Sequence, residues 1–557
     1  MFCRCCLPLF GFLAVTPAAA LEVDAPAAIV RLIEPHRAAL DELSAQQAEA
    51  VRQLLATEGY FSPQIEFVDS DKTPRLKIDP GPRTVVGEVH IAIDGAVDAA
   101  RQRRLRESWQ LPVGQPFRQD DWSLAKQRLL ADLLASGHPG ARLVNSLADI
   151  DSEHQRANLT AQYDAGPYYR FGELQINGVE NYPPDLIPRY NRRIKPGDPY
   201  DETRLQELQA KLRATPYFRT VRAGLDLAAG ETNADGSITA PLKVEVRERQ
   251  PHRVSFGGGF SSNTGGRVEA NYHTPNLAGQ AWSLDSGLRL EQKRQLLFAD
   301  IFLPPDERDR RNGFGAVNEK TDIEKLKTDR YAFGVQSIQQ RGSIEQRLSL
   351  FWQREQREAD GADKVTSRAL TPNALWTWRQ VDDLLDPRRG VVLQLQVGGG
   401  AKAALSDQNF LRLHGRWQQF IPLNDANQLT LRGELGRTFA DSRQRVPQDF
   451  LFRTGGTGSI RGYGYQSLGV KEGAAVAGGR YLGIASAELT HWLGDSWGLA
   501  AFVDTGNAVD ALRAIRLATG YGLGARWRSP AGPLGVDLAY GEMNHRLHLH
   551  FSLAIAF

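Results

Sequence analysis

The sequence predicts an all-β transmembrane barrel of about 16 antiparallel strands, carried behind three N-terminal α+β units. Three observations lead there: an export leader without any apolar run long enough for a spanning helix, a repeat in the first half, and short alternating segments through the second half. A chain in lipid must satisfy its backbone polar groups internally. Once spanning helices are excluded, a closed barrel is the remaining solution.

The leader comes first. Arg4 supplies a positive start, Leu7 to Val15 a short apolar run, and Ala18-Ala19-Ala20 a small-residue cleavage site. This pattern reads as a signal peptide over 1–20, with the mature chain beginning near Leu21. Cys3, Cys5 and Cys6 are the three cysteines of the chain, and all fall within it. The mature part thus offers no disulfide, thiolate ligand or thiol nucleophile. The net charge of +2 carries no basic excess for nucleic-acid binding.

The arm follows, expected as units over 21–81, 82–166 and 167–248. A helix opens at Ser44 with Gln47 as its capping-box partner and Val51, Leu54 and Leu55 as its stripe. Two more carry Leu129, Leu130, Leu133 and Leu134, then Leu205, Leu208 and Leu212. Their stops recur at just under eighty residues: Gly59-Tyr60-Phe61, Gly137-His138-Pro139 and Pro216-Tyr217-Phe218. Leu111 to Phe117 and Ile194 to Tyr200 precede the second and third of these helices and match each other, as do Val86-Gly87-Glu88-Val89 and Phe171-Gly172-Glu173-Leu174. A fixed period signals repeated modules. Each reads as strand, helices, then two strands, with a sheet edge open to an extended chain. A stack of spacers would look the same, and the lack of any enzyme motif favours binding.

The barrel is expected over 249–557. Trp282 to Leu290, Val391 to Val397, Leu411 to Phe420 and Leu429 to Leu435 alternate between Gly, Pro, Asp and Asn turns. Short turns at Pro275–Gly279, Pro304–Glu307, Asp382–Gly390, Asn424–Asn427, Gly494–Trp497 and Ser529–Pro533 share one side, and the long loops are expected on the other. The last strand sets Leu549, Phe551, Leu553, Ile555 and Phe557 on one face, against His548, His550 and small residues on the other.

The longest interruption, roughly Ala440 to Gly479, separates strands 11 and 12 and contains Ile460-Arg461-Gly462-Tyr463. If this loop enters the lumen, Arg461 needs a carboxylate, because an unpaired buried charge is costly. Asp504 and Glu488 are the candidates. With Phe502 toward lipid, strict alternation would turn Asp504 outward too, so a local bulge or a strand-end twist near Gly506 is needed to bring it in. In the first strand, Gly257-Gly258-Gly259 weakens pairing with the last, where Phe551 and Phe557 stand, and marks a lateral seam. The same glycines would also serve simply to relieve crowding in the wall.

These motifs carry a resemblance. Ile460-Arg461-Gly462-Tyr463, Phe502-Val503-Asp504-Thr505-Gly506-Asn507 and Arg526 to Leu534, in that order, resemble the signatures of the outer-membrane assembly-factor superfamily, BamA- and TamA-like. The resemblance implies three POTRA-like domains before the barrel, placement in a Gram-negative outer membrane with the arm in the periplasm, and Arg461 packed in the lumen against Asp504, with Glu488 beside it. Three such units match the TamA-like branch. That implies assembly or translocation of unfolded outer-membrane clients such as autotransporters, with a TamB-like partner and contact with outer-membrane lipid. The alternative is a two-partner secretion pore for one exoprotein. Many relatives have a glycine where Ala554 stands, so an inward kink of the last strand is not expected. H-E-x-x-H, G-x-S-x-G and P-loop motifs are absent. His545, His548 and His550 lack a carboxylate shell. Neither an enzyme, a cofactor nor a metal is expected.

Overall fold

The computed structural model describes residues 22–35, 45–68, 75–529 and 532–556. The leader, the Ser44 cap with its Gln47 side chain, and Phe557 lie outside the described residues, as do the side chains of 552–556.

The arm contains three sheets with one recurring order. In the first, Arg75–Asp79 lies between Glu22–Asp24, parallel to it, and Gln64–Val68, antiparallel. In the second, Arg156–Asp164 lies between Val85–Asp94, parallel, and Arg142–Asp151, antiparallel. In the third, Ile238–Glu248 lies between Tyr169–Asn177, parallel, and Phe218–Leu225. The last strand of each unit is central, so its apolar positions pack beneath the helices. Leu76 and Ile78 meet Val51 and Leu55 in the first. Ala157, Leu159, Ala161 and Tyr163 meet Trp122, Leu129 and Leu133 in the second.

The repeat carries a recurring hydrogen-bond pattern. The backbone carbonyls of the helix stops accept from the start of the following segment: Thr84 N–H to Gly59, Tyr169 N–H to Gly137, and Arg249 N–H to Tyr217. The paired turns of Leu111–Phe117 and Ile194–Tyr200 also bond alike. Gly114 N–H donates to Val86 and Gly197 N–H to Phe171, while Phe117 N–H donates to Thr84 and Tyr200 N–H to Tyr169. Each stop is thereby tied by its backbone to the segment that follows it.

The second half is a closed barrel of sixteen antiparallel strands among the described residues. They are β1 Arg253–Ser261, β2 Gly265–Leu277, β3 Trp282–Glu291, β4 Arg294–Phe302, β5 Arg310–Ile323, β6 Leu326–Arg341, β7 Ile344–Ala359 and β8 Val365–Val381. The circuit continues with β9 Gly390–Gly400, β10 Phe410–Pro422, β11 Asn427–Phe439, β12 Tyr481–Leu493, β13 Trp497–Val509, β14 Ala518–Ser529, β15 Gly532–Gly541 and β16 Arg546–Ala556. Alternation sorts the faces as a membrane wall requires. On β7, Leu348 and Leu350 are exposed outward, whereas Gln353, Glu355 and Arg357 are buried inside. No helix is long and apolar enough to cross a membrane among the described residues.

Two expectations need correction. The far-side loops are not uniformly long: 262–264, 292–293 and 324–325 are tight turns, whereas 401–409, 440–480 and 510–517 are long. Nor is there a bulge at Gly506. Phe502 and Asp504 are both buried inside, and β13 pairs in unbroken register with β12 and β14. The error lay in setting Phe502 against lipid; it faces inward, and simple alternation carries Asp504 with it.

Candidate functional site: a lumenal loop clasped beside the barrel seam

The long loop between β11 and β12 folds into the lumen. Its small hairpin, Val470–Glu472 with Ala475–Ala477, is held at Glu472 by Arg357 of β7 and Arg443 of the loop, each at 2.7 Å. Glu355 of β7 accepts from the Gln448 N–H at 3.0 Å. These contacts anchor the base of the loop on one wall, and its tip crosses to the other.

At the tip, Gly455 and Gly456 turn the chain and Ile460 is fully buried. Gly462 has φ +89°, and a Cβ there would lie 2.8 Å from the Gly541 nitrogen. The wall matches this close approach. A Cβ on Gly520 of β14 would lie 1.8 Å from the Arg461 carbonyl oxygen. Glycine is therefore required on both sides of the contact.

Arg461, only 2% exposed, lies among three carboxylates. Its Nε donates to Asp504 Oδ2 at 2.7 Å and its Nη2 to Oδ1 at 2.9 Å, a bidentate pair that the Arg461 N–H supplements at 3.1 Å. Nη1 donates to Glu488 Oε2 at 2.6 Å and reaches Asp537 Oδ2 at 3.4 Å. The guanidinium also lies over the Phe502 ring, 3.4 Å from its centroid. Asp504 additionally accepts from Ser486 Oγ at 2.6 Å and faces Arg432 at 3.5 Å. Arg526 pairs with Glu488 at 2.8 Å and Asp537 at 2.6 Å. Three guanidiniums thus face three carboxylates. The balance matters, because desolvated charges are tolerable only when each is paired and hydrogen-bonded.

The same tip reaches both flanks of the β16–β1 junction. Gly462 N–H donates to His550 Nε2 on β16 at 2.9 Å, so that nitrogen is unprotonated. Tyr463 Oη donates to the Thr519 carbonyl and accepts from the Met543 N–H. On the other flank, Asn263, in the turn after β1, donates to Thr457 Oγ1 at 2.8 Å. Between them, β1 and β16 pair through Gly257↔Ala556, Gly258↔Ile555, Gly259↔Ala554, Phe260↔Leu553 and Ser261↔Ser552 among the described residues, and just beyond them Ser262 N–H donates to the Phe551 carbonyl at 3.0 Å. The Phe260 and Phe551 rings stack at 5.4 Å. β16 runs unbroken to Ala556.

Ile460, Arg461, Gly462 and Tyr463 therefore meet Asp504 and Glu488 in one site, and Gly257–Gly259 and Phe551 lie at the adjoining seam. Sequence reading missed Asp537 and Arg432 and the roles of Arg526, Phe502 and His550. Inward parity on β11, β14 and β15 was the available signal. No group of three metal-binding side chains occurs among the described residues.

Comparison with known proteins bears on this site. The Omp85 superfamily domain model matches residues 249–557. The outer membrane protein assembly factor BamA of Nitratidesulfovibrio vulgaris (strain Hildenborough) is 23% identical over 537 residues, 90% of this chain and 65% of that protein. BamA of Neisseria meningitidis serogroup B is 22% identical over 470 residues, 77% of this chain and 57% of that protein. The chain thus spans less than two thirds of either relative. The crystal structure of Haemophilus ducreyi BamA lacking POTRA domains 1–3 aligns with a TM-score of 0.75 at 17% identity, covering 85% of this chain and 100% of that one. At that identity the likeness is one of fold.

Proposed function

The chain belongs to the Omp85 superfamily, and from that premise we propose that it is an assembly and translocation factor for outer-membrane proteins, of the TamA-like kind. Its barrel stands in the outer membrane of a Gram-negative cell, with the arm on the periplasmic side. Its clients are unfolded barrel proteins such as autotransporters, its periplasmic partner is TamB-like, and no enzymatic step is involved. The three arm units support the TamA-like assignment.

The observation that carries the proposal is the seam. Among the described residues five pairs join β1 to β16, against sixteen between β6 and β7. A client strand at this edge would replace main-chain hydrogen bonds one for one, so opening and strand addition exchange similar interactions. No nucleotide is needed for such an exchange. The clasped loop beside the seam supplies a rigid floor while the wall changes partners. In the arm, the outer strand Arg142–Asp151 exposes Val144 and Leu147, an edge suited to holding an extended client before insertion.

The test is a lock. Gly258→Cys with Ile555→Cys places two thiols at directly paired positions of β1 and β16. Oxidation should abolish client assembly and reduction should restore it. Full assembly by the locked barrel would defeat the seam mechanism. Proteomics of a deletion strain tests the client range: loss of several unrelated barrels supports an assembly factor, and loss of one secreted protein supports a dedicated pore.

A further inference from the structure

A second feature of the barrel lies apart from the lumenal site. On the outside of the wall, β9 to β12 enclose an apolar groove of about 590 Å³. It exists because two outward positions lack side chains. Leu435 of β11 pairs with Gly415 on one side and Gly483 on the other, and stands 71% exposed between them. Neither glycine is needed for its backbone. A Cβ would meet Leu395 Cδ2 at 3.5 Å from Gly415, and Leu435 Cδ2 at 4.0 Å from Gly483, both ordinary contacts. The wall therefore leaves a trough where larger residues would fit.

The trough has a cationic head. One row further toward the outer end, Arg437 pairs across the sheet with Leu413 and Tyr481. Its guanidinium lies 4.0 Å from the Phe439 ring centroid and 5.5 Å from that of Tyr481. No carboxylate pairs with it among the described residues, and Asp510 at the same rim is held by Arg480. The loop at 510–517 adds Leu512 and Ile515 to the groove and carries exposed Arg513 and Arg516 beside them. A cation facing outward from a barrel wall is costly in hydrocarbon unless it meets an anion at the interface.

We propose that this groove binds a phosphorylated, multiply acylated glycolipid of the outer leaflet, the lipid A type. The trough over Gly415, Leu435 and Gly483 takes an acyl chain. Arg437, with Arg513 and Arg516, takes the sugar phosphates, for which planar guanidiniums are the preferred partners. The position decides between lipids: the cation stands at the outer end of the wall, where such glycolipids rather than phospholipids form the leaflet. The groove lies on the outer face of the wall, whereas the clasp is lumenal, so the two are separable by mutation.

Native mass spectrometry of the full chain in detergent provides the test, with bisphosphoryl lipid A, its dephosphorylated form and phosphatidylglycerol as probes. The wild-type chain should retain bisphosphoryl lipid A roughly tenfold more tightly than either alternative. Arg437→Ser should remove that preference, and Gly483→Leu should weaken retention of every acylated probe. Heat-dependent gel migration reports whether each variant is folded. Equal retention of phosphatidylglycerol by the wild type overturns the assignment without any variant. So does unchanged selectivity in folded Arg437→Ser.

Discussion

The wall at β6–β7 and the junction at β16–β1 are built from the same kind of ladder but secured differently. The first runs through sixteen paired residues, from Leu326↔Ala359 to Arg341↔Ile344, and needs little else. The second has five among the described residues, three of them at consecutive glycines. At a net of about 0.5–1.5 kcal/mol per hydrogen bond, the junction's own ladder cannot match the wall's. The difference is met by side chains from the lumen. The loop tip holds β12, β13 and β15 through Arg461, β16 through Gly462, and the turn after β1 through Thr457. One region is stable by backbone repetition, and the other by a clasp that lies outside the ladder.

The largest break in this comparison should come from removing the clasp. Arg461→Ala leaves Asp504 and Glu488 with lost charge partners in a dry site, a loss on the order of 3–5 kcal/mol. Amide hydrogen exchange should rise by orders of magnitude along the loop tip and β16 and stay unchanged along β6 and β7. The barrel should still insert, with client assembly impaired. Equal exchange at the two regions in this variant would show that the clasp does not secure the seam.

A smaller effect is expected from pushing the loop away without touching a charge. Gly520→Val puts side-chain carbon where the Arg461 carbonyl lies, since a Cβ alone would come within 1.8 Å. The loop must back off and its ion pairs lengthen. Protease cleavage within 454–465 should become detectable in the folded barrel. An intact loop under the same digestion would mean that β14 yields instead.

Smaller again is the ring stack across the seam. Phe260→Ala removes the contact with Phe551, worth about 0.5–1.5 kcal/mol beyond burial. It should speed exchange at β1 and β16 severalfold and leave the lumenal site unaltered. A change in loop protection here would couple the stack to the clasp and blur the division drawn above.

How far these regions were legible depends on the kind of interaction. Strand count and the position of the long loop follow from alternation and turn residues, all written locally; charge pairing named Asp504 and Glu488 only as candidates, and the family resemblance is what placed them with Arg461. The misplaced bulge shows the limit. One wrong choice of face for Phe502 inverted the reading of Asp504, because period-two patterns carry no absolute sign where aromatics serve both lumen and lipid. Asp537 and the pairing of Arg526 went unread because their partners come together only when β12, β14 and β15 close around one point. The arm repeat was visible as a period, but the backbone bond that ties each stop to the following segment required the hydrogen bonds themselves.

The least effect is expected where an ion pair stays in contact with water, which sharpens the contrast with the buried clasp. In the arm, Glu58 at the end of one helix accepts from Arg118 Nε and Nη2 at 2.9 Å each, at the start of the next unit's helix, with Arg83 at 3.5 Å. The Arg118 hydrogen bonds hold the Glu58 carboxyl below its ordinary 4.5. A carboxylate with a depressed folded value stabilises above the unfolded value and loses that contribution as pH falls through the folded one. Exchange near Glu58 and Arg118 should therefore be constant from neutral pH down to about 4.5, after correction for intrinsic rates, and rise below it. Glu58→Gln should remove the transition and cost about 1 kcal/mol or less, since both side chains are partly exposed. A pH-independent wild type would assign the junction between these units to contacts that do not use the Glu58 carboxyl, the Thr84–Gly59 backbone bond, the Arg83 Nε bond to the Glu58 carbonyl and the Phe61–Phe117 ring contact.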